Sequence, residues 1–189
     1  MNLPRAWLAP LALAATWCLL QGAGGPDAWG YDRAAIGDGQ VWRVLTGSLV
    51  HIHATHLALN LVGLAGVMAV WGRELGAWRV LAAVFSGSAL MVGLGLWLTA
   101  PELAWYSGAS GALHGLFAAG IVLATAVSTG FRLLAGLGLL LKLVLETQFG
   151  SGTADLIGAP VVHAAHQFGA ISGALAALLW RGWSYRGRA

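Results

Sequence analysis

Apolar residues fall in six long runs, at 5–21, 53–71, 77–99, 110–127, 131–148 and 161–180, separated by short polar breaks. Each is close to the roughly 20 residues a helix needs to cross the hydrocarbon of a bilayer. Arg73–Glu74 close the second run, Pro101 stops the third, and Pro160 stands at the N-terminus of the sixth, where a proline fits a helix start. Pro10 lies near the start of the first, a tolerated position. A cleaved signal peptide is the other reading of that first run. It is long for one, and five more spans follow. The only long polar connection is 22–50, where Asp27, Asp32, Arg33, Asp38 and Arg43 mix with Trp29, Tyr31 and Trp42. Charge with interfacial aromatics predicts a loop lying on or partly in the membrane surface.

Composition agrees with the pattern. The chain has 189 residues, 58% hydrophobic and 9% charged, with mean hydropathy +0.75. No soluble domain of this size needs so much apolar surface. The expected fold is therefore an all-α membrane protein, a bundle of six transmembrane helices forming one domain over 1–189. The net charge of +3 raises a nucleic-acid partner, but seven of the ten basic residues sit at run ends or in short connections: Arg5, Arg73, Arg79, Arg132, Arg181, Arg186 and Arg188. That is how topology signals are distributed, so the partner is the lipid bilayer and not nucleic acid. Six spans put both termini on one side, and the positive-inside rule makes that side the cytoplasm. Trp180, Trp183 and Tyr185 beside Arg181 and Arg186 fit an interfacial anchor for the last helix. Cys18 has no partner and implies no disulfide.

With this topology, the polar residues inside the spans gather at one depth. His56 and Asn60 in the second span, Ser110 in the fourth, and His163 and His166 in the sixth all lie in the outer layer. Ionisable groups inside a membrane are costly and point to function. Ser110 sits in Trp105–Tyr106–Ser107–Gly108–Ala109–Ser110–Gly111–Ala112–Leu113–His114–Gly115. A free serine hydroxyl is a poor nucleophile and needs a base. His166 has the right chemistry, with an imidazole that titrates near working pH. Gly111 and Gly115 leave one face of the fourth span bare, and Gly169 and Gly173 do the same in the sixth. Two such faces let helix axes approach until a Ser–His hydrogen bond of about 3 Å is possible. Plain helix packing would use the same glycines. His56 and Asn60, four apart, share one face of the second span. With the Ser110 amide they make a candidate oxyanion set, although a polar pair bridging helices would look alike. No acidic residue is placed to orient His166. Asp155 is too far along the outer loop to assign, so the expectation is a Ser110–His166 dyad. Lys142 and Glu146, four apart in the fifth span, are expected to neutralise each other as a buried pair.

These residues resemble a family. Gly108-x-Ser110-Gly111, His56-x-x-x-Asn60, Trp42–Arg43 and His166-x-x-Gly169 resemble the rhomboid intramembrane serine proteases over roughly residues 40 to 180. Tyr106 before the motif, Leu113–His114–Gly115 after it and the short chain are similar to the rhombosortase branch. The resemblance implies Ser110 as nucleophile, His166 as base, and His56, Asn60 and Gly108 around the oxyanion and substrate, with no metal or other cofactor. It implies as substrate the transmembrane segment of a secreted or surface protein with a C-terminal Gly-Gly sorting signal. It also implies a multi-pass protein of the bacterial inner membrane whose site opens to the periplasm. Where typical rhomboids carry a tyrosine one turn below the serine, this chain has His114. His114 is expected to support His166, as His163 is, with a competing base as the alternative.

A different class is also open. His51, His53, His56, His163 and His166 on the outer side are a potential metal site or transporter. Against it stand the lack of thiolates, the lack of a membrane-buried carboxylate beside the histidines, and the spacing of His51 and His53, which point apart on a helix. A catalytically dead rhomboid-like chaperone is disfavoured because both Ser110 and His166 are present.

Overall fold

The computed structural model describes residues 7–186, with side chains to Gly182. Arg5 and Arg188 lie outside the described residues, as do the side chains of Trp183, Tyr185 and Arg186.

The six apolar runs form the six long helices: α1 (Leu8–Gly22), α5 (Ala54–Leu75), α6 (Trp78–Thr99), α7 (Ser110–Leu123), α8 (Thr129–Phe149) and α10 (His163–Arg186). Of these, α5 and α6 are long and apolar enough by length and composition to cross a membrane. Several boundaries differ from expectation: α5 runs on through Arg73–Glu74 to Leu75, and α10 continues past Trp180 to Arg186. The fourth run stops at Leu123, because Ala124 leaves the helix with ψ 126°. The sixth starts three residues beyond Pro160, so the proline precedes the helix without occupying its first turn.

The connection at 22–50 is folded, which its composition did not reveal. It contains α2 (Gly25–Trp29), β1 (Tyr31–Asp32), α3 (Arg33–Gly37) and α4 (Arg43–Thr46). β1 pairs antiparallel with β2 (Trp105–Tyr106), Tyr31 opposite Tyr106 and Asp32 opposite Trp105. That two-residue ladder ties the connection to the segment that leads into α7. Its arginines hold it down from inside. Arg33 donates to the carbonyls of Leu96, Trp97, Ala100 and Leu103, the end of α6. Arg43, buried, donates to Gly30, Asp27 and Gln40. A short α9 (Ala154–Ile157) lies between α8 and α10.

The main core gathers Trp17 of α1 with Leu64, Met68 and Trp71 of α5, Phe85 of α6 and Leu116 of α7. A second cluster of Tyr31, Ile36, Val92, Leu96, Tyr106 and Ala165 sits under the folded connection. The tightest pair is α7 with α10, where backbone meets backbone. A Cβ at Gly169 would overlap the Gly111 carbonyl, and one at Gly173 the Gly115 carbonyl. The closeness expected from the two glycine faces is present in the fold. By contrast α8 stands apart: Leu133, Leu134, Leu137, Leu140 and Leu141 are all exposed, and its one buried residue is Glu146.

Candidate active site

The N-terminal turns of α5, α7 and α10 meet the C-terminal end of α8. Ser110 is the first residue of α7 and His166 lies in the first turn of α10. Ser110 Oγ is 3.0 Å from His166 Nε2. Gly111 makes this separation possible, since a Cβ there would press to 2.7 Å on the Ala165 carbonyl, next to His166.

An acidic partner also reaches His166, contrary to the sequence expectation. Glu146 Oε2 accepts from His166 Nδ1 at 2.9 Å, 20 residues back on a different helix. The Lys142–Glu146 ion pair does form, at 2.7 Å. It is not a mutually buried pair: the Lys142 side chain is 46% exposed against 11% for Glu146. The glutamate has two oxygens, and sequence spacing accounted for only one.

His114 is locked by its neighbours. Its Nδ1 donates to the Ser110 carbonyl at 2.7 Å, and its Nε2 accepts from Lys142 Nζ at 2.9 Å. The ring stacks on His166 with centroids 4.1 Å apart and planes 16° from parallel. Neither nitrogen of His114 is directed to the Ser110 hydroxyl, which removes the geometric basis for a competing base.

His56 is buried beside Gly108. Its Nδ1 accepts from the Ile52 amide at 3.4 Å, so Nε2 carries the proton. Gly108 has φ +138°, and a Cβ on it would lie 2.6 Å from His56 Cε1. No side chain fits there, and only glycine adopts that backbone without strain. The Asn60 amide donates to the His56 carbonyl of its own helix at 2.9 Å, while its buried Oδ1 has no partner. Tyr106 donates to the Gly108 carbonyl at 2.6 Å. Burial pushes this phenol up to about 12, so it stays protonated and remains a donor.

The other histidines go elsewhere. His53 caps α5, accepting from the His56 amide through Nδ1, and its Nε2 donates to the Ile157 carbonyl at 2.9 Å. His51 is fully buried, edge-on to Trp17 and His56, and burial pushes its pKa down to about 3. His163 is one turn before His166, with a buried Nε2 that has no partner. The five histidines therefore do not converge on one point. The described residues do group His114, Glu146 and His166, with ligand atoms within 4.8 Å of one another. Lys142 Nζ already bonds two of the three, taking the His114 Nε2 lone pair and one Glu146 oxygen.

A cavity of about 900 Å³ opens onto Ser110 and His166 between α5, α7 and α8, with Asn60, Gly63, Phe117, Gly138 and Ile157 on its walls. It is large enough to hold an extended stretch of several residues.

The described residues thus form a mostly helical bundle with a serine at a helix start and a histidine nitrogen 3.0 Å from its hydroxyl. Residues 38–183 match the rhomboid domain, and the chain belongs to the rhomboid family. Over 82 residues it is 35% identical to "Putative rhomboid protease YdcA" of Bacillus subtilis (strain 168), a match covering 43% of this chain and 41% of that one. The chain thus aligns with about two fifths of that curated relative's length.

Proposed function

We propose that this protein is an intramembrane serine protease with Ser110 as nucleophile and His166 as general base. The observation that carries it is the 3.0 Å contact between Ser110 Oγ and His166 Nε2 at the wall of a large cavity. Membership of the rhomboid family supports the same chemistry.

The reaction follows from the donors and acceptors. A substrate segment unwinds in the cavity and offers a peptide carbonyl to Ser110. The hydroxyl oxygen bonds to the carbonyl carbon while His166 Nε2 takes the proton. The negative charge that develops on the carbonyl oxygen is met by the Ser110 amide and by the His56 Nε2 proton beside Gly108, with Asn60 at hand. Preorganised donors at such a point supply much of a hydrolase's rate. His166 then gives its proton to the leaving amine as the C–N bond breaks. Water attacks the acyl-enzyme, again losing a proton to His166, and Ser110 leaves with it.

The finer assignment is a rhombosortase-like enzyme acting on the C-terminal Gly-Gly anchor of a secreted protein. Glycine near the scissile bond suits this site because it lowers the cost of unwinding a helix by about 1 kcal/mol per residue. One domain crossing the bacterial inner membrane six times, termini in the cytoplasm and cavity toward the periplasm, completes the proposal.

The test is Ser110→Ala in purified protein reconstituted with a single-span reporter. Cleavage is expected to vanish and the thermal melting point to stay within a few degrees of wild type. The wild type is expected to react with a fluorophosphonate at Ser110. Cleavage retained by the alanine variant overturns the reading.

A further inference from the structure

α8 is a helix that exposes its leucines and buries its glutamate. That inversion needs a cause, since burying a carboxylate is costly unless it is paired and hydrogen-bonded. Lys142 does not supply one. An i, i+4 ion pair forms equally well at a helix surface, and the lysine side chain is nearly half exposed here. What burial adds for Glu146 is His166.

The hydrogen bonds around the site then close into a ring with every donor and acceptor role fixed. Ser110 Oγ donates to His166 Nε2, and His166 Nδ1 donates to Glu146 Oε2. Lys142 donates to Glu146 Oε1 and to His114 Nε2, and His114 Nδ1 donates back to the Ser110 carbonyl. Of the charged and titratable groups facing His166 (Glu146, Lys142, His114, His163 and His56), only Glu146 is an anion.

Resting on the serine-protease reading, we infer that Glu146 is a positioning residue for His166, making the site a Ser–His–Glu arrangement with Lys142 as the counter-ion of the carboxylate. The carboxylate holds the tautomer with the proton on Nδ1, which leaves the Nε2 lone pair aimed at Ser110. When Ser110 attacks, its proton moves to Nε2 and the imidazole becomes a cation. Glu146 stays ionised throughout and takes no proton. It balances a charge that exists only while His166 is protonated, so its effect belongs to the transition state and the tetrahedral intermediate.

That timing separates positioning from mere structure. Glu146→Gln keeps the shape and removes the charge. With the reporter substrate in proteoliposomes, kcat is expected to fall on the order of a hundredfold or more, with KM changed by less than about threefold. Glu146→Asp keeps the charge on a shorter arm and is expected to recover at least about tenfold of that loss. A kcat for Glu146→Gln near wild type, or a loss carried by KM alone, overturns the assignment. If the glutamine variant does not fold, the wild type decides by NMR. A far-downfield Nδ1 proton on His166 is expected, and its absence overturns the assignment as well. The two readings fail differently. A wild type that neither cleaves nor labels with fluorophosphonate removes the protease itself. A wild type that does both, matched by Glu146→Gln, removes only the role of Glu146.

Discussion

His114 occupies a position whose three contacts have separable consequences. The stacked ring at 4.1 Å restricts His166 to one plane, and the bonds to the Ser110 carbonyl and Lys142 fix His114 itself. His114→Tyr keeps an aromatic face against His166 but gives up both bonds. Neither lost bond touches the Ser110 hydroxyl or a His166 nitrogen, so cleavage is expected to fall but to stay well above background. His166→Ala removes the base and is expected to leave only background. Single-turnover cleavage of the two variants checks this, and the reverse order would make His114 the base. At this scale the sequence carried half of the candidate site's geometry. Ser110, His166 and the small residues between them were visible because the motif is local and each helix brings its own glycines. Glu146 was missed because i, i+4 spacing on α8 already gave it a partner, and the second oxygen's reach to α10 is a tertiary fact. Its signal was there all the same: a lone acid in a span of leucines, at the depth of His166.

Helix ends are where the bundle spends its arginines. The last carbonyls of a helix have no partner within it, and a bilayer offers them little water. Arg33 closes the end of α6. Arg132 and Arg181 donate to the carbonyls of Ile121 and Val122 at the end of α7, at 3.0 and 2.9 Å. Arg132 and Arg181 look like topology signals in the sequence, and inside the fold they, like Arg33, are also C-terminal caps, favoured by the helix dipole. The glycine faces of α7 and α10 are the complementary device at the other end. Gly169→Ala would force a methyl onto the Gly111 carbonyl, backbone that cannot yield. It is expected to destabilise by at least about 2 kcal/mol and to part Ser110 from His166. Gly66→Ala, whose Cβ meets nothing within 4 Å in the middle of α5, is the control and is expected to stabilise by about 0.5–1 kcal/mol through helix propensity. Melting temperatures in detergent compare the two. Equal effects would mean the α7–α10 contact is not backbone-tight.

Across the whole molecule the helices divide into a packed group and an outlier. α6, α7 and α10 share tight interfaces, α5 joins them through Trp71 and Leu64, and α8 touches the rest toward its two ends, at Phe131 and Arg132 and around Lys142 and Glu146. Hydropathy cannot tell these roles apart, since a leucine facing lipid and one facing a core score alike. The outlier leaves the cavity open between α5 and α8, and we propose that gap as the path for a substrate helix. Gly138 lines the cavity, yet a Cβ there meets nothing within 4 Å. Gly138→Trp therefore fills the passage without straining the helix, and replacing a mid-helix glycine costs nothing in propensity. A transmembrane reporter needs the full width of the gap, whereas a small fluorophosphonate needs only access to Ser110. The variant is expected to cut reporter cleavage by at least about tenfold while labelling at close to the wild-type rate, because the Ser110–His166 contact is untouched. Loss of both would mean that Gly138 supports the catalytic geometry. Loss of neither would mean that the substrate reaches Ser110 by another route, from above through the segment between α8 and α10.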